Sequence, residues 1–147
     1  MLADDFVPVA SGDRADLDAP APRVHLLDNG RLVSMVTTAG GGYVQFDDRA
    51  LTRWRPDATR DADGYYLYLR DLDDGAFWSA GFQPTAVEPT AYHVELAPGL
   101  LRIVRRDREI ETTLEICVAP DLPVELRRCT VENQSDRPRR IELTSYA

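Results

Sequence analysis

The amino-acid sequence predicts an all-β fold, an antiparallel β-sandwich. Three observations support this prediction. Segments in which apolar and polar residues alternate recur about every ten residues, turn-forming residues separate them, and no stretch keeps the i, i+3, i+4 apolar spacing of an amphipathic helix. Short strands at this spacing are typical of sandwiches and barrels. The chain has 147 residues, which is enough for one hydrophobic core.

The first predicted strands lie at residues 24–27, 31–37 and 43–46. Asn29-Gly30 separates the first two, and this dipeptide favours a tight hairpin because both residues tolerate positive φ. A glycine run at residues 40–42 precedes the third strand. No lysine follows the run, as a phosphate-binding loop requires, so it indicates a backbone bend crowded against a neighbouring strand.

Further strands are predicted at residues 65–70, 76–80, 92–96 and 100–105. The acidic segment at residues 71–75 resembles the start of a calcium loop, but Ala76 and Phe82 occupy the places of the required glycine and glutamate. This segment is therefore predicted to be a hairpin turn.

The clearest strand covers residues 109–118, where apolar residues fall on even positions and polar residues mostly on odd ones. The next strand, residues 124–132, changes the phase of its apolar residues, which predicts a β-bulge near Arg127-Arg128. A last strand is predicted at residues 140–146. In a hairpin that pairs Cys117 with Glu125, Cys129 lies roughly 13 Å away along the partner strand, too far for a disulfide.

Composition excludes several function classes. A net charge of −8 argues against nucleic-acid binding, because a phosphate backbone requires a basic surface. No segment has the roughly 18 apolar residues of a membrane span. Residues 1–10 lack the basic start of a secretory signal, which predicts a cytoplasmic location. Residues 1–22 are rich in small, acidic and proline residues and are predicted to be a flexible segment before a domain at 23–147.

Aromatic residues between positions 54 and 78 are the most suggestive functional feature. Trp54 and Trp78 could stack against sugar rings, with Arg53 and Arg55 as polar neighbours, together with Arg60 and Asp61. The alternative interpretation is that alternate aromatic residues fill the sandwich core. No carboxylate pair, metal-ligand cluster or cofactor motif is recognisable, so no catalytic, metal or cofactor site is predicted. His25 and His93 are expected to be packed or surface residues.

Several segments occur in the order expected for one known family. Among them are Leu-Asp-Asn-Gly at residues 27–30 and Phe-Trp-Ser-Ala-Gly-Phe-Gln-Pro-Thr at residues 77–85. Further matching segments lie at residues 35–43, 51–61, 68–71, 107–112, 125–128 and 141–147. Together they resemble the N-terminal β-sandwich domain of glycoside hydrolase family 94, formerly glycosyltransferase family 36. The family includes cellobiose and chitobiose phosphorylases and the C-terminal region of cyclic β-1,2-glucan synthases.

The resemblance implies a galactose-mutarotase-like supersandwich, of which this chain holds the first part. In the family an (α/α)6 barrel carries the catalytic aspartate for inverting phosphorolysis or glycosyl transfer, so the chain alone is expected to be inactive. The expected partners are that helical barrel or the second half of the sandwich, and a β-glucan oligosaccharide. In a glucan synthase the location would be the cytoplasmic face of the inner membrane.

The leading functional hypothesis is therefore a non-catalytic, carbohydrate-associated module. Two alternatives are a free-standing carbohydrate-binding protein and a scaffold or subunit-interaction domain that binds no sugar. A truncated sandwich leaves a sheet face or edge uncovered, which predicts self-association into homo-oligomers.

Overall fold

The computed structural model describes residues 10–13, 22–55 and 63–147, and these residues form strands and connecting loops without a helix. The strands are β1 (Ala10–Asp13), β2 (Val24–Asp28), β3 (Leu32–Thr37), β4 (Gly42–Phe46), β5 (Arg49–Ala50), β6 (Tyr66–Asp71), β7 (Phe77–Ser79), β8 (Ala91–Ala97), β9 (Leu100–Asp107), β10 (Ile110–Val118), β11 (Glu125–Asn133) and β12 (Ile141–Tyr146). They confirm the all-β, antiparallel prediction. In the described part of the chain, no helix is long and apolar enough to cross a membrane.

Three antiparallel sheets enclose the core. The largest has five strands in the order β1-β8-β9-β10-β11, a second has the order β2-β3-β4-β5, and a third has the order β12-β6-β7. The core draws side chains from all three sheets, including Val36, Leu69 and Ile103, each with no exposed surface. The three sheets are therefore held together by a shared apolar interior.

The alternation predicted for residues 109–118 is present in β10. Ile110, Thr112 and Ile116 are fully buried, while Glu111 on the opposite face is partly exposed. Glu115 departs from the pattern because it is buried on the polar face. Its carboxylate accepts hydrogen bonds from Arg102 Nη2 at 3.0 Å and Arg128 Nε at 2.6 Å, which supply the partners a buried charge requires.

The predicted bulge in the following strand is wrong. Every residue of β11 has its own partner in β10, from Val118 opposite Glu125 to Ile110 opposite Asn133. The apolar residues change phase because β11 lies at the edge of its sheet, where much of both faces is exposed. Cys117 pairs with Leu126, one residue from the predicted register, and both cysteines are free thiols.

Asn29 connects the β2–β3 turn to a distant part of the chain. Its side-chain oxygen accepts the backbone N–H of Leu32 at 2.9 Å, while Gly30 takes the positive φ of 84° that the turn requires. The Asn29 Nδ2 group donates to the carbonyl oxygens of Ala119 and Leu122, at 2.7 and 2.8 Å. The turn of one hairpin is thereby bound to the loop between β10 and β11.

The glycine run forms a crowded bend, as predicted. Gly42 has a φ of 157°, and a Cβ there would lie 1.9 Å from the Met35 carbonyl oxygen. A Cβ on Gly40 would lie 3.1 Å from the Cα of Gly81, so two loops of different sheets meet backbone to backbone. Larger residues at this crossing would push the loops apart.

Arg105 fixes the loop that follows β7 onto the five-stranded sheet. Its guanidinium group is fully buried and forms two hydrogen bonds with the Asp107 carboxylate, at 2.7 and 2.6 Å. Its remaining N–H groups donate to the carbonyl oxygens of Ser79, Gly81 and Val87. Together these contacts satisfy all five donors of the side chain.

A second buried ion pair joins the ends of β6 and β12. Arg139 donates to Asp71, and both side chains are almost completely buried. The Arg139 hydrogen bond lowers the pKa of the Asp71 carboxyl group, and the backbone N–H of Asp73 lowers it further. Asp71 also begins the acidic turn predicted at residues 71–75, which connects β6 with β7.

Strand β1 lies within the segment predicted to be flexible, and its four residues pair with β8. The other residues of this segment, apart from residue 22, lie outside the described ranges. A domain boundary between residues 22 and 23 stays a prediction.

Candidate carbohydrate-binding surfaces

Trp54 lies in the segment after β5, between the exposed residues Arg53 and Arg55. Its ring is partly buried against Tyr43, with centroids 6.2 Å apart and planes tilted by 41°. The backbone N–H of Arg55 donates to Asp63 Oδ2 at 2.9 Å, which anchors the end of the segment. The structure therefore places the two predicted arginines at the surface and leaves Trp54 partly exposed between them. Arg60 and Asp61 lie outside the described residues.

Trp78 occupies a different place and corrects part of the sequence interpretation. It lies on β7 opposite Leu69, and only 1% of its surface is exposed. A sugar ring cannot stack on a side chain that neighbouring apolar residues cover on both sides. Trp78 is a core residue, as the alternative interpretation of the aromatic set expects.

Tyr68 and Phe77 of the set lie together with Tyr146, from the last strand, on the outer face of the β12-β6-β7 sheet. The Tyr68 ring centroid is 6.4 Å from that of Phe77 and 6.4 Å from that of Tyr146. Phe77 is 53% exposed and Tyr146 is 62% exposed, whereas Tyr66 beside them is buried. These rings form a continuous aromatic surface away from the core.

The aromatic surface borders an open groove of about 680 Å³. We name it the outer aromatic groove. Its lining residues are Tyr68, Arg70, Gly75, Phe77, Glu142 and Thr144. Arg70 lies directly opposite Glu142 in the strand register. Within the described residues, the side chains of Arg70, Glu142 and Thr144 form no hydrogen bond or ion pair with one another or with other groups. Their polar atoms remain available to a ligand.

Sequence reasoning missed this groove for a physical reason. Glu142 and Thr144 come from the last strand, more than 60 residues beyond the aromatic set, and line the groove because β12 pairs with β6. Strand alternation could have separated Trp78 from Phe77, since adjacent residues point to opposite faces. It could not have identified the neighbouring strand.

The remaining candidate groups have structural partners. His25 Nε2 lies 2.9 Å from the Ala97 carbonyl oxygen, and His93 Nε2 lies 3.5 Å from Glu95 Oε1. Burial raises the pKa values of the Cys117 and Cys129 thiols, which keeps both in the less reactive protonated form. In the ranges that the structure describes, no cluster of histidine, cysteine and acidic residues could hold a metal ion.

Comparison with known proteins gives a consistent family assignment. The family model of the glycosyl hydrolase 94 supersandwich domain matches residues 12–147. The chain is 32% identical over 122 residues to the cyclic β-(1,2)-glucan synthase NdvB of Rhizobium meliloti, covering 83% of this chain and 4% of that protein. It is 32% identical over 134 residues to the N,N'-diacetylchitobiose phosphorylase of Vibrio furnissii, covering 88% of this chain and 17% of that protein.

A third relative is the solabiose phosphorylase of Paenibacillus borealis, which is 28% identical over 132 residues, covering 86% of this chain and 17% of that protein. The chain thus spans less than a fifth of these relatives. The match nevertheless covers nearly all the described residues, and the twelve strands form the antiparallel sheets that a sandwich domain requires. The chain therefore belongs to the glycosyl hydrolase 94 family and corresponds to its supersandwich domain.

Proposed function

We propose that this chain is a non-catalytic, carbohydrate-associated module of a β-glucan-active phosphorylase or cyclic β-1,2-glucan synthase. In this role it packs against the helical barrel that performs inverting phosphorolysis or glycosyl transfer. The observation that carries the proposal is the family match over residues 12–147, which corresponds to a small fraction of each relative. A module of this size contributes a surface to a larger enzyme.

Exposed apolar residues on two of the edge strands, β11 and β12, support a packing role. Leu126 on β11 is 53% exposed and Leu143 on β12 is 50% exposed. Leu143 lies directly opposite the buried Leu69, so it points toward the core side of its sheet. Apolar side chains in this position lose contact with water when a second domain covers them.

The state of the buried acids also favours a non-catalytic role. A general acid must hold its proton near neutral pH, which requires a raised pKa. Ion pairing with Arg139 instead lowers the pKa of Asp71. Asp107 and Glu115 are also bound to arginines, so each of these buried carboxylates serves as an anchor for a cation.

We further propose Trp54, with Arg53 and Arg55, as a point of sugar contact at the module surface. The partial exposure of Trp54 and the exposure of the two arginines support this assignment. The cytoplasmic location inferred from the sequence belongs to the same proposal.

Association with a catalytic barrel tests the proposed packing. The chain is mixed with the separately produced (α/α)6 barrel of a family 94 phosphorylase, and complex formation is followed by analytical ultracentrifugation. We expect a complex that Leu143→Lys weakens, because the substitution places a charge in the interface. Leu72→Lys is the matched control, since Leu72 is 46% exposed in the turn between β6 and β7.

An activity assay on the isolated chain completes the test. Incubation with inorganic phosphate and cellobiose or N,N'-diacetylchitobiose should release no sugar phosphate. Turnover by the purified chain would refute the non-catalytic role. Equal barrel binding by the wild-type chain, Leu143→Lys and Leu72→Lys would refute the proposed packing face.

A further inference from the structure

We propose that the outer aromatic groove is a second carbohydrate site, one that binds a short neutral oligosaccharide of pyranose rings. The inference rests on the carbohydrate context of the proposed function, but it concerns another surface and other residues. Its support comes from the direction of the aromatic rings, their spacing, the unpaired polar groups beside them and the balance of charge.

The aromatic residues of the groove cannot be explained by the core. On β6, Leu69 is fully buried and points inward, whereas Tyr68 points to the opposite face. Phe77 and Tyr146 lie on this outer face with more than half of their surfaces exposed. Clustered exposed apolar surface is unusual on a folded domain and marks sites of interaction.

The rings are spaced so that a chain of sugars could contact several of them. Tyr68 lies between Phe77 and Tyr146, with both centroid distances at 6.4 Å. A pyranose ring presents C–H groups on its faces, and these pack well against aromatic rings. The phenolic hydroxyls of Tyr68 and Tyr146 add polar groups that can bond to sugar hydroxyls.

The polar residues beside the rings match the hydroxyl groups of a sugar. A hydroxyl group both donates and accepts hydrogen bonds. Arg70 supplies donors, Glu142 supplies acceptors and Thr144 supplies both, and none of these groups is used within the described residues. Elsewhere in the structure, exposed arginines such as Arg31 and Arg140 have acidic partners, at 3.4 and 2.9 Å.

Charge and size narrow the class of ligand. Arg70 and Glu142 are paired on neighbouring strands and carry opposite charges, so these two lining residues add no net charge to the groove, which favours a neutral ligand over an anionic one. The volume of about 680 Å³ falls within the range of roughly 300–1,000 Å³ that is usual for small-molecule sites. An apolar protein segment fits less well, because it would cover Arg70 and Glu142 without offering hydrogen-bonding groups to replace the water around them.

Titration calorimetry on the full chain tests the proposal. The probes are β-1,2-linked gluco-oligosaccharides and N,N'-diacetylchitobiose. We expect saturable binding that Phe77→Ala and Tyr68→Ala each weaken by at least about tenfold, as is common when an aromatic anchor is truncated. Tyr68→Phe keeps the ring and should retain most of the affinity. Leu122→Ala removes another exposed apolar side chain, 61% exposed and on the β10–β11 loop, and should bind normally.

Several results would overturn the proposal. One is the absence of saturable heat while circular dichroism shows that the chain is folded. Another is binding that survives Phe77→Ala and Tyr68→Ala and disappears in Trp54→Ala, which would place the sugar on the other surface. A third is loss of barrel association or self-association, without any sugar binding, in Phe77→Ala.

The test is separable from that of the proposed function. Leu143 and Thr144 are adjacent on β12 and face opposite sides of the sheet. Leu143→Lys should impair barrel binding and leave sugar binding intact, whereas Phe77→Ala should do the reverse. If the chain binds the barrel but no sugar, only the carbohydrate site in the groove is refuted. If it binds sugar but not the barrel, only the packing role is refuted.

Discussion

Arg105 illustrates how a single buried side chain can hold two parts of the molecule together. Its hydrogen bonds reach one carboxylate on its own strand, the carbonyl oxygen of Ser79 at the end of β7, and two carbonyl oxygens of the loop after β7. Lysine has one nitrogen and no planar fork, so it cannot reproduce this set of contacts. The loop therefore depends on arginine itself and not on positive charge alone.

We expect Arg105→Met to reduce the free energy of unfolding by at least about 3 kcal/mol, because it leaves Asp107 buried without its partner. Arg105→Lys should recover little of this loss. Urea denaturation followed by tryptophan fluorescence provides the measurement. The control is Arg31→Met, which breaks an exposed ion pair with Asp47 and should cost less than about 1 kcal/mol. Similar losses in both variants would contradict the assigned role.

Asp71 should make stability depend on acid pH. Its pKa is lower in the folded chain than in the unfolded chain, so the ionised form stabilises the fold. This contribution is fully present above the unfolded value of 3.8 and is lost as the pH falls through the lower folded value. Stability therefore falls as the pH is lowered, because the Arg139 hydrogen bond favours the ionised carboxylate over the protonated form.

Asp71→Asn should therefore lower the melting temperature clearly between pH 5 and pH 7 and progressively less below about pH 3.8. Thermal melts across this pH range, with Asp47→Asn as the exposed control, provide the comparison. A melting-temperature difference that stays constant down to pH 2 would mean that the Asp71–Arg139 pair is not the source of the effect.

At the level of whole elements, strand positions were largely predictable from alternation and turn residues. β10 has a buried row and a polar row, and the observed strand begins within one residue of the predicted start. The sequence predicts a bulge in β11 because the alternation pattern is interpreted for a strand with one solvent-exposed face and one buried face. Nothing in a single strand reveals that it lies at an edge, where the pattern is relaxed.

The crossing of the two glycine loops is a second element-scale feature that sequence could indicate only in part. The run at residues 40–42 predicted a crowded bend, while its contact with Gly81 depends on the packing of two sheets. Gly42→Ala should destabilise the fold by more than about 3 kcal/mol, because the new Cβ would overlap the Met35 carbonyl oxygen.

Gly99→Ala is the matched control, since Gly99 has a φ of 75° but open space around it. Its cost should be about 1–2 kcal/mol, the penalty of a left-handed conformation alone. Guanidinium unfolding monitored by circular dichroism separates the two effects. Equal losses would show that backbone strain, and not the close approach, dominates at Gly42.

On the scale of the whole molecule, the exposed edge strands should drive self-association. Leu126 and Val131 on β11 are exposed on a strand with no neighbour on its outer side among the described residues. Unpaired backbone groups beside exposed apolar residues promote edge-to-edge pairing. Leu126→Lys should lower the average mass measured by light scattering, whereas Leu72→Lys should leave it unchanged. A monomeric wild-type chain at high concentration would contradict this prediction.

The two candidate sites differ in how far the sequence alone predicts which residues lie together. Arg53, Trp54 and Arg55 are adjacent in sequence, so their shared surface position could be anticipated. The outer aromatic groove joins β6, β7 and β12, and its composition depends on a strand pairing that spans much of the chain. Trp78 and Phe77 have similar chemistry, and only the direction of each side chain distinguishes core from surface.

The two polar atoms of the Asn29 side chain have separate roles. Its oxygen shapes a local turn, while its amide nitrogen ties that turn to carbonyl groups about 90 positions later. Aspartate would preserve the first task and abolish the second. Substitution at this position is thus restricted by the turn and by the β10–β11 loop at once. An Asn29→Asp variant would show how strongly the hairpin remains packed on that loop when only the two amide hydrogen bonds are removed.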